Sequence, residues 1–179
     1  MDIYNQTNKV IDKTNCLTVS FEHADSIHSA PLKLQTQSLD IDITTILLKY
    51  RPSAYSLPPQ LTADLNISLY AGWRHDNYKI KHHTDPLGKR HLKISNTGYD
   101  FGLFAGPGTT SINPFTTNNR TTNEYSGMIV QTGVAGFIES NLASFGVAVG
   151  FDYLLTRDRA IWIYNNKPWV GLVVGVALN

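Results

Sequence analysis

The chain alternates between large apolar residues and small or polar residues with a period of two, which is the pattern of a β-strand with two different faces. Between Ser144 and Tyr153 every second residue is large and apolar, and the residues between them are Gly, Ala, Ser and Asp. The same period predicts six further strands: Leu17–Glu22, Leu39–Thr44, Ala63–Arg74, Gly98–Gly106, Tyr125–Ile138 and Trp169–Asn179. Two weaker candidates are Tyr78–Lys81 and Ala160–Tyr164. We therefore predict an all-β protein, a single antiparallel up-and-down β-barrel of about eight strands over residues 15–179, after a polar N-terminal segment of residues 1–14.

The composition of the two strand faces indicates which of them faces inward. The polar face of a soluble sheet meets water, so it is expected to be rich in Lys and Glu, but here it consists of Gly, Ala, Ser, Asn and a few acids. Small residues suit the lumen of a narrow barrel, which side chains fill, and large apolar residues suit lipid. The sequence therefore predicts a membrane-embedded barrel with a lumen of small and polar residues. A soluble all-β domain is the alternative, because Gly-rich strands occur there too.

The lengths of the apolar segments agree with strands. The longest apolar run, residues 168–178, is shorter than the roughly 20 residues of a membrane-spanning helix and matches the roughly 9–11 residues of a membrane-spanning strand. The first 14 residues lack the apolar core of a signal peptide, so either the protein is cytosolic or this sequence is a mature chain. The predicted connections do not fit one another. Outer-membrane barrels have their long loops at one end and their short turns at the other. The turn at Glu139–Asn141 is short, but simple up-and-down connectivity places the two long stretches, 74–91 and 106–123, at opposite ends of the barrel.

Composition removes several classes of function. Charged residues are only 16% of the 179 residues, and much of the polarity comes from 17 Thr and 14 Asn. A net charge of +1 argues against binding nucleic acid through phosphate neutralisation. The single cysteine, Cys16, excludes an internal disulfide and a cysteine-based zinc site.

Two groups of residues are candidates for a site. Four charged residues fall on the predicted lumen face, where opposite charges would pair because an unpaired buried charge is unfavourable: Asp64, Arg74, Asp100 and Asp152. A proton-transfer or ligand site is the alternative for these four.

The second group is a basic stretch that could contact lipid phosphates or an acidic partner: Lys79, Lys81, Lys89, Arg90 and Lys93. A divalent metal is an alternative there, although the neighbouring ligand-type residues have no recognised spacing: His75, Asp76, His82, His83, Asp85 and His91.

Aromatic residues near the predicted strand ends are candidate anchors at a membrane surface: Tyr50, Trp73, Tyr153, Trp162, Tyr164 and Trp169. No His–Ser or paired-carboxylate arrangement is evident on one strand, so we expect no catalytic residues, no cofactor and no metal. An enzyme would need such an arrangement.

Several motifs in residues 49–179 are distinctive: Lys49-Tyr50-Arg51-Pro52, Gly98–Gly106, Asn113-Pro114, Asn123–Gly127, Gly150–Leu155 and Trp162–Leu172. In these motifs the chain resembles a family of small outer-membrane β-barrel proteins of Bacteroidota, which brings no known active site. The resemblance implies a location in the bacterial outer membrane, with outer-membrane lipid and other outer-membrane proteins as partners and no nucleic acid. It implies a non-enzymatic structural or accessory subunit of an assembly, secretion or uptake complex. A small-solute channel or ligand-binding barrel, and a soluble all-β binding domain, are the alternatives.

Overall fold

A computed structural model describes residues 2–4, 16–18, 32–55, 57–84, 90–139 and 144–177, and these residues are mostly β-strand. Two short 3₁₀ turns, Phe115–Thr117 and Arg157–Ala160, accompany the strands. The strands are β1 (Asp2–Tyr4), β2 (Cys16–Thr18), β3 (Leu32–Arg51), β4 (Gln60–Thr62), β5 (Ile67–Thr84), β6 (Arg90–Ile112), β7 (Tyr125–Glu139), β8 (Ser144–Leu154) and β9 (Pro168–Ala177). In this part of the chain, no helix has both the length and the apolar character needed to cross a membrane.

Six strands form a closed ring. Their order is β3-β5-β6-β7-β8-β9, every pairing is antiparallel, and β9 pairs back onto β3. The short strand β4 adds to the end of β3 at Lys49–Arg51, and β1 and β2 form a separate two-stranded sheet. The all-β, antiparallel prediction is confirmed.

The predicted number of about eight strands is wrong for this ring, for three reasons. Tyr78–Lys81 is not a separate strand, because β5 runs without interruption from Ile67 to Thr84. Ala160–Tyr164 is not a strand at all, and three consecutive residues of it are buried where a strand would alternate. Of the predicted strand Leu17–Glu22, only the start falls in β2, which pairs with β1 outside the ring, and residues 19–22 lie outside the described part.

Side-chain exposure follows the two faces that the alternation predicts. Most inward positions are small, polar or aromatic, with a few aliphatic residues such as Ile46 and Val173, and most outward positions are large and apolar. We call the outward set the apolar belt, since it is exposed on all six strands of the ring: Leu39, Ile41, Ile43, Leu47, Ile67, Leu69, Trp73, Tyr99, Phe101, Leu103, Met128, Val130, Val134, Ile138, Phe145, Val147, Val149, Phe151, Val170 and Leu172.

The connections sort onto two ends of the ring. The long connections 52–66, 113–124 and 155–167 all lie at one end, which we call the loop end. At the other end, which we call the hairpin end, β3 begins and β9 ends, only five residues of sequence separate β5 from β6, and only four separate β7 from β8. The structure therefore does not place two long loops at opposite ends of the ring. Residues 74–84 and 90–91 are paired strand and not loop, because β5 and β6 stay in register up to Thr84 opposite Arg90.

Three strands run past the ring at the hairpin end. Among the described residues, β9 pairs with β3 only from Asp42 onward, and β7 pairs with β6 only from Gly98 onward. The result is a three-stranded extension with β5 as its central strand. It consists of residues 32–41 of β3, 77–84 of β5 and 90–97 of β6.

Large aromatic side chains fill the ring, and glycines on facing strands make room for them. Phe104 and Trp169 are buried with their rings 5.9 Å apart, and Tyr70 packs edge-on against Phe137 at 4.9 Å. A Cβ on Gly150 would lie 2.7 Å from Trp169 and 2.9 Å from Phe104. The interior is thus a close-packed core that side chains occupy.

Candidate functional site

A β-bulge in β3 decides which charged residues face the interior. The pairing of β3 with β9 shifts between Ile46 and Leu48, so Leu47 and Leu48 both turn away from the interior. The alternation then resumes in the opposite phase, and Lys49 and Arg51 become 0% and 2% exposed. If the same residues alternated regularly, with no bulge, both cations would face outward, because a shift of one residue exchanges the two faces of a strand.

Asp152 of β8 is the partner of both cations. Its Oδ1 lies 2.9 Å from Lys49 Nζ, and its Oδ2 accepts a hydrogen bond from the Arg51 guanidinium. The indole Nε1 of Trp169 also donates to Oδ1, at 2.9 Å. Lys49 Nζ lies 4.6 Å from the centre of the Trp169 ring, a cation–π distance. This charge cluster satisfies one buried carboxylate with two cations and an indole, as burial of charge requires.

A second polar group lies toward the hairpin end around Arg74. Its Nε lies 3.0 Å from Asp76 Oδ2, and one terminal nitrogen lies 3.9 Å from Asp40 Oδ2. Asn96 Nδ2 donates to the other oxygen of Asp76 at 3.1 Å. Nearby, Asp100 Oδ1 and the Tyr70 hydroxyl both occupy the space that a Cβ on Gly72 would take.

The four residues predicted for the lumen separate in the structure. Asp100 and Asp152 are buried on the inward face, at different levels of the ring, and Arg74 is half-buried among Asp40 and Asp76. Asp64 is half-buried in the connection between β4 and β5, so it lies outside the strand that the alternation assigned to it. Sequence reasoning missed Lys49 and Arg51. The signal for them was the apolar triplet Ile46–Leu48, which breaks the alternation and marks the bulge.

A second buried cluster closes the loop end. Trp162, Ile163 and Tyr164 are buried against Ile112 and Ile129, and the Arg51 guanidinium lies 5.6 to 5.8 Å from the rings of Tyr164 and Trp162. The prediction that Trp162, Tyr164 and Trp169 anchor the protein at a membrane surface is therefore wrong, since all three are at most 3% exposed. Tyr50, Trp73 and Tyr153 are exposed on the outward face.

The basic stretch lies on the three-stranded extension. Lys33 stands opposite Lys79, and Lys81 stands opposite Lys93, so these four exposed lysines share the outward face. We call them the lysine face. Like charges directly opposite each other repel, which favours an anion on this surface. Lys89 and the side chain of Arg90 lie outside the described residues.

The described side chains include no group of three or more His, Cys, Asp and Glu placed to hold a metal ion. His75, the one histidine whose side chain is described, stacks on Tyr99 with ring centres 5.0 Å apart. The side chains of His82, His83 and His91, and the whole of Asp85, lie outside the described part.

Comparison with known proteins adds no relative. No family model, curated protein or solved structure matches the chain. Membership of the Bacteroidota outer-membrane family stays a prediction.

Proposed function

We propose that the chain is a non-enzymatic outer-membrane β-barrel that serves as a structural or accessory subunit of a larger outer-membrane complex. The apolar belt carries this proposal. The belt occupies all six strands of a closed ring, whereas the buried charges around Asp152 and Arg74 lie inside that ring. This arrangement reverses the order of a soluble β-protein, in which the apolar face is internal.

The circumference of the belt favours lipid as its cover. Exposed apolar surface is unfavourable in water by about 25 cal/mol per Å², and contiguous apolar patches on soluble monomers rarely exceed a few hundred Å². A protein partner covers one side of a ring, whereas a bilayer encloses all of it. β8 and β9 have 11 and 10 residues, which match the roughly 9–11 residues that a membrane-spanning strand needs.

The lysine face supports one orientation of the ring in the membrane. It lies past the hairpin end of the belt, where headgroup phosphates of the adjoining leaflet would meet Lys33, Lys79, Lys81 and Lys93. Bacterial outer-membrane barrels have short periplasmic turns and longer external loops. The hairpin end would then be periplasmic and the loop end external.

The packed interior favours a structural role over a channel. Trp169, Phe104, Phe137 and Tyr70 occupy the ring, and the Trp162–Tyr164 segment covers its loop end. A ring of six strands is also narrower than an eight-stranded one, whose interior is already just wide enough for side chains to fill.

The test places a lysine at the middle of the belt and another beyond it. Val147 is 52% exposed, so Val147→Lys would be harmless or would improve solubility if the belt met water. In a bilayer the same substitution destabilises the protein by about 2–4 kcal/mol. Thr97→Lys is the control, since Thr97 is exposed on the outward face of the extension and stands opposite the neutral Asn77. Refolding into lipid vesicles, followed by far-UV circular dichroism, measures both variants.

We expect Val147→Lys to refold poorly and Thr97→Lys to refold like the parent. A parent chain that is folded and monodisperse without detergent, with Val147→Lys equally folded, would overturn the proposal. The accessory role is tested by native electrophoresis of membranes from the source cell after mild solubilisation. It predicts migration within an assembly much larger than one 19.9 kDa chain, and migration as a lone chain contradicts it.

A further inference from the structure

Two connections at the loop end enclose a cavity of about 380 Å³, within the size range of small-ligand sites. Its wall consists of Asn118 and Arg120 from one connection, Arg159–Ile163, Asn165 and Lys167 from the other, and Tyr55 from the connection after β3. The cavity lies outside the packed ring, so the filled interior does not obstruct it. We call it the cation cavity for the side chains described next.

Three cationic side chains line this cavity, Arg120, Arg159 and Lys167, and no Asp or Glu lines it. Within the described part of the chain none of the three forms an ion pair, although Arg159 donates a hydrogen bond to the Tyr153 hydroxyl and leaves only its other nitrogens for a ligand. The nearest acid in sequence, Asp158, accepts a hydrogen bond from the Tyr125 hydroxyl at 2.7 Å. The cavity therefore carries a concentrated positive charge, which an anion would offset.

Neutral groups complement the charges. The side-chain oxygen of Asn165 accepts a hydrogen bond from the Leu154 backbone N–H at 3.0 Å, so the NH₂ group of Asn165 is the part left for a ligand. Tyr55 is 66% exposed, and its ring centre lies 5.9 Å from Lys167 Nζ. A flat aromatic face beside a cation suits a ligand with an anionic group attached to a less polar body.

The backbone around the cavity is held in a defined shape. Within the described residues four non-glycine residues have positive φ, and each lies in the wall or next to it: Tyr55 (48°), Asn118 (53°), Asn119 (57°) and Asn166 (56°). Asn tolerates this conformation, whereas a bulky residue such as Tyr adopts it rarely. Strained positions of this kind persist where the surrounding structure fixes them, and they cluster at ligand sites.

Backbone hydrogen bonds supply that fixing. The Ile163 N–H donates to the backbone carbonyl of Thr116 at 3.0 Å and thereby joins the two connections. The Asn166 N–H donates to the backbone carbonyl of Asp152 at 2.8 Å and joins the cavity wall to β8. The cavity is therefore largely formed before any ligand arrives, which lowers the entropy lost on binding.

We propose that the cation cavity binds a phosphoryl group, held by Arg120, Arg159 and Lys167, with the remainder of the ligand against Tyr55. Phosphate suits three cations better than a carboxylate does, because it carries more charge and offers more acceptor oxygens, and Arg pairs with it in a bidentate manner. The phosphoryl group could belong to a lipid headgroup of the surrounding leaflet or to a soluble phosphate ester. This inference goes beyond the proposed function and does not rest on it.

Titration calorimetry of the full folded chain tests the proposal, in detergent or in plain buffer as its solubility dictates. Inorganic phosphate and glucose 6-phosphate are the soluble ligands, acetate and glucose are their controls, and vesicles with or without phosphatidic acid supply the lipid phosphate. We expect the phosphates to bind at least tenfold more tightly than acetate, and glucose to give no signal. Binding to phosphatidic acid that Arg120→Gln and Lys167→Gln both weaken would assign the site to a lipid headgroup, whereas preference for the sugar phosphate would assign it to a soluble ester.

Matched variants locate the site. Arg120→Gln and Lys167→Gln should each weaken phosphate binding about tenfold, as expected for the loss of one charge-assisted hydrogen bond. Arg157→Gln is the control, because Arg157 lies in the same 3₁₀ turn as Arg159 but lines a different surface. No binding of any phosphate at millimolar concentration, or an equal loss in Arg157→Gln, would overturn the proposal. Circular dichroism of each variant checks that its fold is intact.

Discussion

Lys49 and Asp152 meet inside the ring at 2.9 Å although 103 residues separate them in the chain. Their side chains are 1% and 0% exposed, and β3 and β8 are not neighbours in the sheet. The contact therefore crosses the interior and does not follow a strand pair. It joins the first and fifth strands of the ring through a single carboxylate, which Arg51 and Trp169 also contact.

Removing that carboxylate should be more damaging than removing one of its cations. Asp152→Asn leaves Lys49 and Arg51 buried without a counter-charge, and breaking a buried pair in this way typically destabilises a protein by about 3–5 kcal/mol. Lys49→Met leaves Arg51 to pair with Asp152, so we expect a smaller loss. Denaturant unfolding in the same detergent or buffer measures both. A larger loss for Lys49→Met than for Asp152→Asn would contradict the assignment of Asp152 as the shared partner.

The bulge in β3 can be tested by deletion. Deleting Leu47 alone removes the extra residue, so regular alternation places Leu48 outward and leaves Lys49 and Arg51 beside Asp152. Deleting both Leu47 and Leu48 shifts the phase by one residue, which turns the two cations onto the outward face and leaves Asp152 alone inside. Each outward cation would be unfavourable in lipid by about 2–4 kcal/mol at mid-bilayer and by less near its edge. We expect the single deletion to refold in vesicles and the double deletion not to refold. Equal refolding of the two would show that the inward phase of Lys49 and Arg51 is not needed.

Two glycines distinguish the packed interior from the outer surface. Gly150→Ala brings a methyl group within 2.7 Å of Trp169 and 2.9 Å of Phe104, so we expect a loss of about 1–3 kcal/mol. Gly136→Ala meets its nearest atoms at 3.6 and 3.7 Å, which is ordinary contact, and should be neutral or slightly stabilising. Thermal unfolding of both variants checks the expected order, and similar midpoints would argue against a close-packed interior.

High pH should weaken the cluster that covers the loop end. Burial raises the pKa of the Tyr164 hydroxyl above its ordinary value. The unfolded chain therefore releases this proton first, at about pH 10. The contribution of Tyr164 to stability is full below that pH and falls as the pH rises toward the folded pKa. Tyr164→Phe should lose stability less steeply above pH 10 than the parent, whereas Tyr55→Phe, at an exposed position, should follow the parent. Parallel pH curves for the parent and Tyr164→Phe would refute this.

The alternation of residues predicted strands well where the two faces differ strongly. The alternation predicts Ser144–Tyr153, where each outward position is large and each inward one is small or acidic, and β8 ends one residue later at the buried Leu154. The extension was misread because Arg74–His91 is polar and resembles a loop. Its strands are defined by backbone pairing of β5 and β6, which side-chain patterning does not report.

The candidate site was only partly predictable, for a related reason. Asp100 and Asp152 follow the phase of their strands, so the pattern placed them on the inward face. Lys49 and Arg51 depend on one inserted residue, and Trp162 and Tyr164 depend on how a connection folds over the end of the ring. Aromatic type alone does not distinguish a buried position from a surface anchor.

Pairing of β9 with β3 has a consequence for the time course of folding. These two strands are the last and the first of the ring, so the seam between Asp42–Tyr50 and Val170–Ala177 joins residues more than a hundred positions apart. Each hairpin within the ring can form as it is synthesised, but this seam waits for the C-terminal strand. Contacts of such long separation form slowly. Until β9 arrives, both edges of the sheet stay open, and a chain truncated before β9 would keep them open permanently, with unpaired backbone groups available to other chains.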